Sequence, residues 1–443
     1  MIPIATLAQM READALAVAR RGQEALVSDA GTAVGLCAQR LLGSCRARRV
    51  AVIVGPGLNG ADGRVGARWL TQRGAQVAVI DFDQAPAHLA GYDLVVDAVL
   101  GTGASRPYDA PSIEEGTLVL AVDLPSGVDT DTGALVGHPM PASATLALGA
   151  VKPAHLMGPS AALVGELHFA SLGIALETDS ALIVDEDLDH FLSYDVNDHK
   201  WVHAITALVG SSLMPGAAEL VTRGALAGGA SMIRLASRGE VSTQISIPPE
   251  VVHVSDASVD ARSRAVVAGP GLGSDAPSWL GDALAHAPCP VVLDADGLDR
   301  AFIDECARGE STWVLTPHEG EFERLSGQEV SDDRFGDVRR LAAATGCVVL
   351  LKGPRTVIAH PGGALRVVTS GTAALATAGS GDVLAGLIAA TIARGHDPFE
   401  AAAVAAHLHG RAGAALAPYA SASEVAETIR AIVAQLPRPS RVR

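Results

Sequence analysis

The sequence is poor in several residue types that mark particular classes of protein. It has only five cysteines in 443 residues, an odd number with no C-x-x-C pair, which fits neither a disulfide framework nor a zinc site. No apolar run approaches the roughly 18 residues of a membrane span, and the charged, amphipathic N-terminus lacks an apolar signal core. We therefore expect a protein of the reducing cytoplasm.

Basic charge is scarce as well. The chain has 33 lysines and arginines against 49 acidic residues, and its net charge of −16 argues against a nucleic acid or an anionic membrane as partner. Apolar residues make up 49% and charged residues 19%, which excludes intrinsic disorder, and the length predicts two or three folded units. Small molecules or proteins are the expected partners, and a homo-oligomer remains open.

Lysine and asparagine are rare. Lysine occurs only at Lys152, Lys200 and Lys352, against thirty arginines, and asparagine only at Asn59 and Asn197. A coding bias that replaces lysine by arginine explains this composition. Under such a bias, a remaining lysine is expected where a compact ammonium is needed and a planar guanidinium does not fit.

Both halves of the chain alternate β-branched runs, turns with Gly or Asp, and helical patterns. Such apolar runs predict parallel sheets covered on both faces, so each half is expected to be an α/β domain. Residues 177–200 are acidic and lose the strand pattern, which places a boundary near residue 178. The strand-bearing runs lie at 49–57, 76–83, 93–103, 117–127 and 145–153, then at 204–212, 264–273, 290–299, 311–322 and 347–363.

The first of these runs leads into GPGLNGADG, a G-x-G-x-x-G motif that starts at Gly55. Asp81 lies 21 residues after its last glycine, as in dinucleotide-binding proteins, although a single match of this kind is weak. Asn59 and Asp62 lie in the same turn. They indicate a more specialised site, because a plain phosphate cradle needs only backbone donors.

Polar groups also follow three other strands of the first half. Asp97, Asp123 with Ser126, and Lys152 each come after an apolar run. Since the carboxyl ends of parallel strands meet at one crevice, we expect these groups to converge with Asn59. Amide, carboxylate and hydroxyl oxygens suit a weakly bound alkali cation. The alternative is that each acid caps a helix or turn.

The second half contains a glycine-rich elbow, TAGSGDVLAG. Gly379, Ser380 and Gly381 are predicted to open a helix near Asp382, so that free N–H groups and the helix dipole form a phosphate site. Asp382 would then act on a group beside the phosphate, such as a hydroxyl awaiting deprotonation. The alternative is that Asp382 serves as the N-cap.

Three other stretches of the second half carry candidate residues. Lys352 either reaches a nucleotide phosphate as a point charge or is a solvated lysine at a strand end, and Thr356 adds a hydroxyl. His318, in TPHEGEF, favours substrate binding. Asp294 and Asp296, in LDADGLD, are ambiguous between contacts to metal-bound water and capping.

In order, MREAD, GPGLNGADG, DAVLGTGASRP, AVDLPSGVDTDTG and LGAVKP resemble the NAD(P)H-hydrate epimerase family. The resemblance implies a Rossmann-like three-layer domain over residues 1–178 that interconverts the R and S epimers of the hydrated cofactor. It implies that Asp123 transfers a proton and that Lys152 polarises or protonates the opening ring. The implied K⁺ ligands are Asn59, Asp97 and Ser126. The implied substrate contacts are Leu58, Asn59, Gly60, Ala61, Asp62, Gly101, Thr102, Gly103, Ala104, Ser105, Arg106, Pro107 and Asp123.

Two stretches depart from the families' usual patterns. The epimerase turn usually reads N-N-G-G-D, and this chain has Leu58 and Ala61 instead. Leu58 removes an amide that would bind substrate, and Ala61 narrows a turn that we expect to require a positive φ angle, so weaker binding is expected. In the second half, HKWVH resembles the H-K-G motif of ADP-dependent NAD(P)H-hydrate dehydratases, with Trp201 in place of a flexible glycine, and Trp201 is expected to reshape that loop.

MPGAAEL, GPGLG, LDAD, TPHEGEF, KGPRT and AGSGDVLAG resemble, in order, the ribokinase-like ADP-dependent NAD(P)H-hydrate dehydratase family. The resemblance implies a ribokinase-like α/β domain over residues 179–443 that uses ADP as phosphoryl donor with Mg²⁺. Asp382 would activate the hydroxyl, and AMP, phosphate and NAD(P)H would be the products. The implied nucleotide contacts are Lys352, Gly353, Pro354, Arg355, Thr356 and Gly381, and the implied hydrate contacts are Ala217, Gly271, His318 and Asp382.

Two other functions remain open on the sequence. A ribokinase-like kinase of a vitamin precursor would share the GSGD and LKG motifs but would leave the first half unexplained. A dinucleotide-binding regulatory protein with an inactive epimerase half would keep the glycines yet need no Asp382. The full set of motifs favours a fused bifunctional enzyme acting on hydrated NADH or NADPH, whose first half supplies the S epimer that the second consumes.

Overall fold

The computed structural model describes residues 1–102, 107–190, 198–239, 246–307, 309 and 311–436. Its contacts divide the chain into two compact units, Ile2–Ser180 and Ala181–Arg443, the latter together with Met1. In the part of the chain so described, no helix combines the length and apolar character needed to cross a membrane.

The N-terminal unit is built on a parallel sheet. Its helices are α1 (Leu7–Arg21), α2 (Gln23–Leu42) and α3 (Leu58–Gln72). Its strands are β1 (Ile2–Pro3), β2 (Arg49–Val54), β3 (Gln76–Asp81), β4 (His88–Leu89), β5 (Leu94–Ala98), β6 (Tyr108–Asp109), β7 (Ser112–Ile113), β8 (Leu118–Val122), β9 (Gly137–His138), β10 (Ala144–Leu148) and β11 (Glu166–Ala170).

The main sheet of this unit has the order β11-β10-β8-β5-β2-β3, and all its neighbouring pairs are parallel. The connections reverse direction between β2 and β5, the switch point at which open α/β sheets bind their ligands. Helices α2 and α3 cover one face through an apolar core that includes Val34, Leu70 and Val96. The other face is covered by the segments around Leu89, Tyr108 and Met140. The Rossmann-like α/β architecture is thus confirmed.

Close backbone packing explains the glycine motif at the end of β2. A Cβ atom on Gly55 would overlap the carbonyl oxygen of Val99, and one on Gly60 would overlap the carbonyl oxygen of Gly55. Gly57, in contrast, faces open space. The first and last glycines therefore let α3 begin directly above the strand end, and this places Asn59 and Asp62 at the switch point.

The C-terminal unit is a larger α/β structure. Its helices are α4 (Pro215–Ala227), α5 (Ala276–Leu284), α6 (Arg300–Cys306), α7 (Glu319–Ser326), α8 (Arg334–Thr345), α9 (Ser380–Ala393), α10 (Pro398–Ala414) and α11 (Ala422–Gln435). The remaining strands of the chain are β12 (Ser180–Leu182), β13 (Ala204–Ser211), β14 (Met232–Arg238), β15 (Val251–His253), β16 (Ala265–Ala268), β17 (Val291–Leu293), β18 (Trp313–Leu315), β19 (Val348–Leu351), β20 (Thr356–Ala359) and β21 (Leu365–Val368).

Within this unit the strands follow the order β21-β20-β19-β18-β17-β16-β13-β14-β15. The pairs from β15 to β19 are parallel, and β20 and β21 continue the sheet in antiparallel pairing. Parallel strands β16 to β19 direct their carboxyl ends, and the loops that follow them, to the same edge.

Helix α9 lies in the centre of this unit, and every residue from Val383 to Ala393 is buried. A helix that is apolar on all sides is stable only when it is covered on all sides. Its close approach to α4 depends on two glycines, because a Cβ atom on Gly224 would overlap the backbone of Val383, and one on Gly386 would overlap that of Val221. This packing fixes the position of the N-terminus of α9.

Candidate active sites

A cavity of about 160 Å³ lies at the carboxyl edge of the N-terminal sheet. Its volume is similar to that of a cavity of about 150 Å³ that holds a benzene molecule, so one six-membered ring fits. It is bounded by α1, α2, the start of α3 and the loops after β5, β8 and β10. Its polar lining residues are Asp14, Gln23, Asn59, Asp62, Thr102, Asp123 and Lys152.

A buried ion pair forms the floor of this cavity. The ammonium of Lys152, which is fully buried, contacts the carboxylate of Asp123 and donates to the carbonyl oxygen of Leu148 at 2.7 Å. Asp123 has a φ angle of 69°, a left-handed conformation that is uncommon for a residue with a side chain. Its amide donates to the carbonyl of Leu146 at 2.9 Å, which holds this strained backbone in place.

His155 completes the support of the pair. Its Nδ1 accepts a hydrogen bond from the Lys152 amide at 2.9 Å, and its Nε2 donates to the carbonyl of Asp123 at 2.6 Å. Burial, and next the charge of Lys152, lowers the pKa of His155 to about 4, so the ring is neutral at physiological pH. A neutral imidazole that accepts at one nitrogen and donates at the other thus fixes the backbone of both Lys152 and Asp123.

Two more acids line the cavity. Burial, followed by the charges of Asp123 and Asp14, raises the pKa of Asp62 to about 8. Asp14 is an exposed residue, but its carboxyl group is partly buried, and this burial raises its pKa. The ammonium of Lys152 lowers the pKa of Asp14, and the charge of Asp123 raises it. Asp62 therefore carries a proton at neutral pH, while Asp123 has an ammonium as its partner.

Asn59 lies at the switch point, and the NH2 group of its side chain is unengaged by the described residues. Its Nδ2 is buried without a hydrogen-bond partner in the part of the chain that the structure describes. A Cβ atom on Gly101 would lie 3.5 Å from both the Asn59 amide carbon and the Asp123 carboxylate. The bare backbone at Gly101 thus keeps the space between these two side chains open for a ligand.

Asp97 and Ser126 meet beside this point. The carboxylate of Asp97 is buried and accepts from the Ser126 hydroxyl at 2.6 Å and from the Ser126 amide at 2.9 Å. Burial raises the pKa of Asp97, although the hydrogen bonds of Ser126 oppose the rise. Among the described residues, no cationic side chain pairs with Asp97.

The structure thus brings together Asn59, Asp62, Gly101, Thr102, Asp123 and Lys152, as the sequence predicts. Leu58 also lines the cavity and is 53% exposed, and Pro107 is exposed. Gly103, Ala104, Ser105 and Arg106, predicted to contact the substrate, lie outside the described residues. The expectation for Ala61 is wrong, because it lies inside α3 and has no positive φ angle, so a methyl group is compatible with its backbone.

In the C-terminal unit, the glycine-rich elbow begins its helix two residues earlier than predicted. Helix α9 starts at Ser380, and Gly379 is the N-cap with a φ angle of 85°. The Ser380 hydroxyl donates to the carbonyl of Leu375 at 2.7 Å and holds the elbow. Asp382 is therefore not the N-cap. It lies in the first turn, among amides that have no acceptor within the helix.

Lys352 is held beside the elbow by two acids. Its Nζ lies 2.9 Å from Asp294 Oδ1 and 3.7 Å from Glu321 Oε2. Burial alone would lower the pKa of Lys352, but these carboxylates outweigh it and raise the pKa above its ordinary value. A Cβ atom on Gly381 would lie 3.4 Å from this ammonium, so the lysine stands directly in front of the elbow.

Asp382 belongs to the same electrostatic cluster. Burial and the nearby charge of Asp294 raise its pKa to about 7, Asp296 and Glu321 add to the rise, and Lys352 opposes it. A carboxyl group with a pKa near neutrality can accept a proton and release it again at physiological pH. The acid next to the anion site is therefore suited to general-base chemistry.

The turn after β19 is held by two hydrogen bonds, one of them from a side chain of α8. Arg334 donates to the carbonyl of Lys352 at 2.9 Å, and the Thr356 hydroxyl donates to the carbonyl of Gly353 at 3.1 Å. Gly353 and Arg355 are partly buried and Pro354 is exposed. The predicted nucleotide-binding segment 352–356 is therefore a fixed turn next to the elbow.

The remaining predicted hydrate contacts are Ala217 in the first turn of α4, Gly271 in the loop after β16, and His318 at the start of α7. Gly271 contacts Ala217 so closely that a Cβ atom on the glycine would overlap the alanine side chain. His318 is the N-cap of α7, and its Nδ1 accepts from the Glu321 amide at 3.2 Å. Because Glu321 also contacts Lys352, His318 is linked to the elbow cluster through that glutamate.

Sequence reasoning missed several residues of these sites. Asp14, His155, Arg334 and His409 are not in glycine motifs or at the ends of predicted strands. The His409 ring is buried and forms a hydrogen bond with the Ser380 backbone, and burial lowers its pKa to about 4. Only Asp14 had a signal, because it belongs to the MREAD stretch.

Trp201, which we expected to reshape a loop, lies in a turn before β13. The Arg262 guanidinium stacks over its ring at 3.5 Å from the ring centre. The Ser231 hydroxyl donates to the carbonyl of Lys200 at 3.1 Å. Both contacts anchor the turn.

Family comparisons agree with this division of sites. A model described as NAD(P)H-hydrate dehydratase matches residues 205–435, and a model described as YjeF-related protein N-terminus matches residues 23–89 and 80–154. A bifunctional NAD(P)H-hydrate repair enzyme of Mycobacterium leprae is 37% identical over 405 residues, and the match covers 84% of each chain.

Solved structures resemble the C-terminal unit. The ADP/ATP-dependent NAD(P)H-hydrate dehydratase of Bacillus subtilis, co-crystallised with ATP and Mg²⁺, is 30% identical with a TM-score of 0.51, and the match covers 57% of this chain and 96% of that chain. A ribokinase-like superfamily protein of Enterococcus faecalis is 22% identical with a TM-score of 0.52, over 59% of this chain and 98% of that chain. The second likeness shows a ribokinase-like fold.

Proposed function

The chain belongs to the family of bifunctional NAD(P)H-hydrate repair enzymes, and from this premise we propose how its two units divide the repair. The enzyme interconverts the R and S epimers of hydrated NADH or NADPH and dehydrates the S epimer with ADP. We assign the epimerase to residues 1–178 and the dehydratase to residues 179–443.

The observation that best supports the dehydratase assignment is the position of Asp382 in the first turn of α9, directly after Gly381, which lies in front of the Lys352 ammonium. Asp382 takes the proton of the hydrate hydroxyl, whose oxygen attacks the terminal phosphorus of ADP and releases AMP. The lone pair of the ring nitrogen then expels phosphate, and loss of a neighbouring C–H proton restores the dihydronicotinamide. The amides at the elbow and Lys352 stabilise the phosphate charge.

Nucleotide contacts follow from the same arrangement. Lys352, Gly353, Pro354, Arg355, Thr356 and Gly381 contact ADP, and Ala217, Gly271 and His318 contact the hydrate together with Asp382. Asp294 and Asp296, which influence Asp382 electrostatically, are the acids that would hold the hydrated Mg²⁺ of the nucleotide. Mg²⁺ supplies positive charge to the phosphates.

In the epimerase, Asp123 transfers the proton, and the buried Lys152 keeps that carboxylate paired and oriented. Leu58, Asn59, Gly60, Ala61, Asp62 and the loop from Gly101 to Pro107 contact the substrate. The donor set also fits K⁺, because Asp97 is a buried carboxyl without a cationic partner among the described residues, and the side-chain oxygens of Asn59 and Ser126 are ligands that a hard cation accepts. Asn59, Asp97 and Ser126 would hold K⁺, which supplies positive charge at the switch point.

The test uses the full chain with ADP, Mg²⁺, K⁺ and a mixture of both hydrate epimers. Recovery of the dihydronicotinamide absorbance should go to completion, with one AMP and one phosphate formed per cofactor. A plateau with only the R epimer left would refute the epimerase assignment. No recovery, with phosphorylation of a pyrimidine or thiazole alcohol instead, would favour a vitamin-precursor kinase.

A further inference from the structure

Helix α1 presents one acid to the epimerase cavity. Met10, Asp14 and Val18 are spaced four residues apart, lie on one face of the helix and all line the cavity. Met10 and Val18 are apolar, so Asp14 is the charged residue of this face. Within the residues described, the Asp14 carboxyl forms no hydrogen bond or ion pair. It is available to a ligand in the cavity.

The helix that carries Asp14 is fixed at both ends. Thr6 caps it with a reciprocal pair of hydrogen bonds to Gln9, and the Leu7 amide donates to Asp131 at 2.7 Å. At the other end, Arg21 donates to the carbonyl of Leu172 at 2.6 Å. Because α1 is held at both ends, the Asp14 carboxyl keeps its position relative to the cavity. Proton transfer to a bound substrate requires such a fixed position.

The chemistry of epimerisation calls for two proton-transfer groups. Inversion at a carbon that bears a hydroxyl requires loss of that hydroxyl from one face of the ring and addition of water to the other. Asp123 belongs to the wall formed by the strand ends, and Asp14 belongs to the wall formed by α1. Asp62 and Asp123 are each 7% exposed, whereas Asp14 is an exposed residue and can exchange protons with solvent.

We propose that Asp14 is a second proton-transfer residue of the epimerase, which serves the ring face turned to α1 while Asp123 serves the other; the assignment rests on the proposed epimerase function. One carboxyl group gives its proton to the departing hydroxyl, the C–O bond breaks, and the nitrogen lone pair forms a C=N bond. Water then adds to the opposite face, a new C–O bond forms, and the released proton passes to the other carboxylate. Proton exchange through Asp14 restores the starting state.

The test compares Asp14→Asn with Glu12→Gln, an exposed acid on the same helix that does not line the cavity. Purified R epimer is incubated with the full chain without ADP, and formation of the S epimer is followed by chromatography. Asp14→Asn should lower kcat by about 100-fold with KM within about twofold, and Asp14→Glu should recover part of the rate. Glu12→Gln should match the wild type.

The pH profile separates proton transfer from a structural role. Asp62 on α3, Asp123 after β8 and Lys152 after β10 are the charged or titratable groups that share the cavity with Asp14. Asp14→Asn should lose one limb of the kcat profile, and its dehydration of S epimer with ADP should be unchanged.

Wild-type rate and profile in Asp14→Asn would overturn the assignment, and so would equal losses in Asp14→Asn and Glu12→Gln or a loss confined to KM. A wild-type chain that dehydrates the S epimer but does not epimerise would overturn the proposed epimerase function, and this assignment with it.

Discussion

Replacing Asp62 by asparagine should stabilise the N-terminal unit at neutral pH. Asp62 is 7% exposed with a pKa of about 8, whereas an unfolded chain gives an aspartate a pKa near 3.9. Below about pH 4 both states are protonated and the native state carries no penalty. As pH rises from about 4 to 8, the unfolded state loses its proton first, so the free energy of unfolding falls. Asparagine has no such proton to lose.

The magnitude at pH 7 follows from the distance between the unfolded-state pKa and pH 7, because the native-state pKa of about 8 lies above that pH. Each pH unit between the unfolded-state pKa and pH 7 contributes about 1.36 kcal/mol. The penalty on the native state at pH 7 is therefore at most about 4 kcal/mol. We expect Asp62→Asn to recover about 1 to 4 kcal/mol at pH 7 and almost none near pH 4.

Hydrogen exchange in the full chain measures this gain, with amides of β2 and β5 as reporters and amides of β16 and β17 as the internal control. Rates are corrected for intrinsic exchange, and the buffer contains no potassium, because a bound cation would favour the charged carboxylate. An equal gain at pH 4.5 and pH 7, or no gain at pH 7, would refute the reasoning.

Three further predictions concern the backbone and the dehydratase. Gly60→Ala should destabilise the N-terminal unit by about 1 to 3 kcal/mol in thermal or urea unfolding, because its methyl group would overlap a carbonyl oxygen. Gly57→Ala should be tolerated, because its methyl group would meet open space. Equal effects of the two substitutions would contradict the packing argument. The dehydratase kcat should fall about tenfold per pH unit below pH 6, because Asp382, with a pKa of about 7, must be ionised to act as the base. Lys352→Met should shift this limb of the profile to higher pH, because the lysine charge lowers the pKa of Asp382. A rate that stays constant down to pH 5 would exclude Asp382 as the base. Gly381→Ala should raise the KM for ADP with little change in unfolding temperature. Its methyl group would lie at ordinary contact distance from the rest of the protein, but in front of the Lys352 ammonium. An unchanged KM would place the phosphate elsewhere.

The strands that carry the sites were predictable from sequence because they are continuous β-branched runs that end in Gly or Asp. β11 and β14 were not predicted, because Glu166 and His168 interrupt the first and Arg234 the second. A strand pattern mixed with polar residues does not stand out from loops.

Side-chain partnerships were harder to foresee. Asp123 and Lys152 were expected to converge, since both follow strands of one parallel sheet. The ion pair between Lys352 and Asp294, which are 58 residues apart, depends on side-chain directions that spacing does not encode. Asp14 was not foreseen as a cavity residue, because the packing of α1 against the strand-end loops is a tertiary feature.

The most direct test of the account is repair of purified S epimer by full-length Asp382→Asn in the presence of ADP and Mg²⁺. We expect AMP and NAD(P)H to form at least about 100-fold more slowly than with the wild type, while conversion of R to S epimer continues at the wild-type rate. Wild-type repair by this variant, or repair by the wild type without consumption of ADP, would contradict the account.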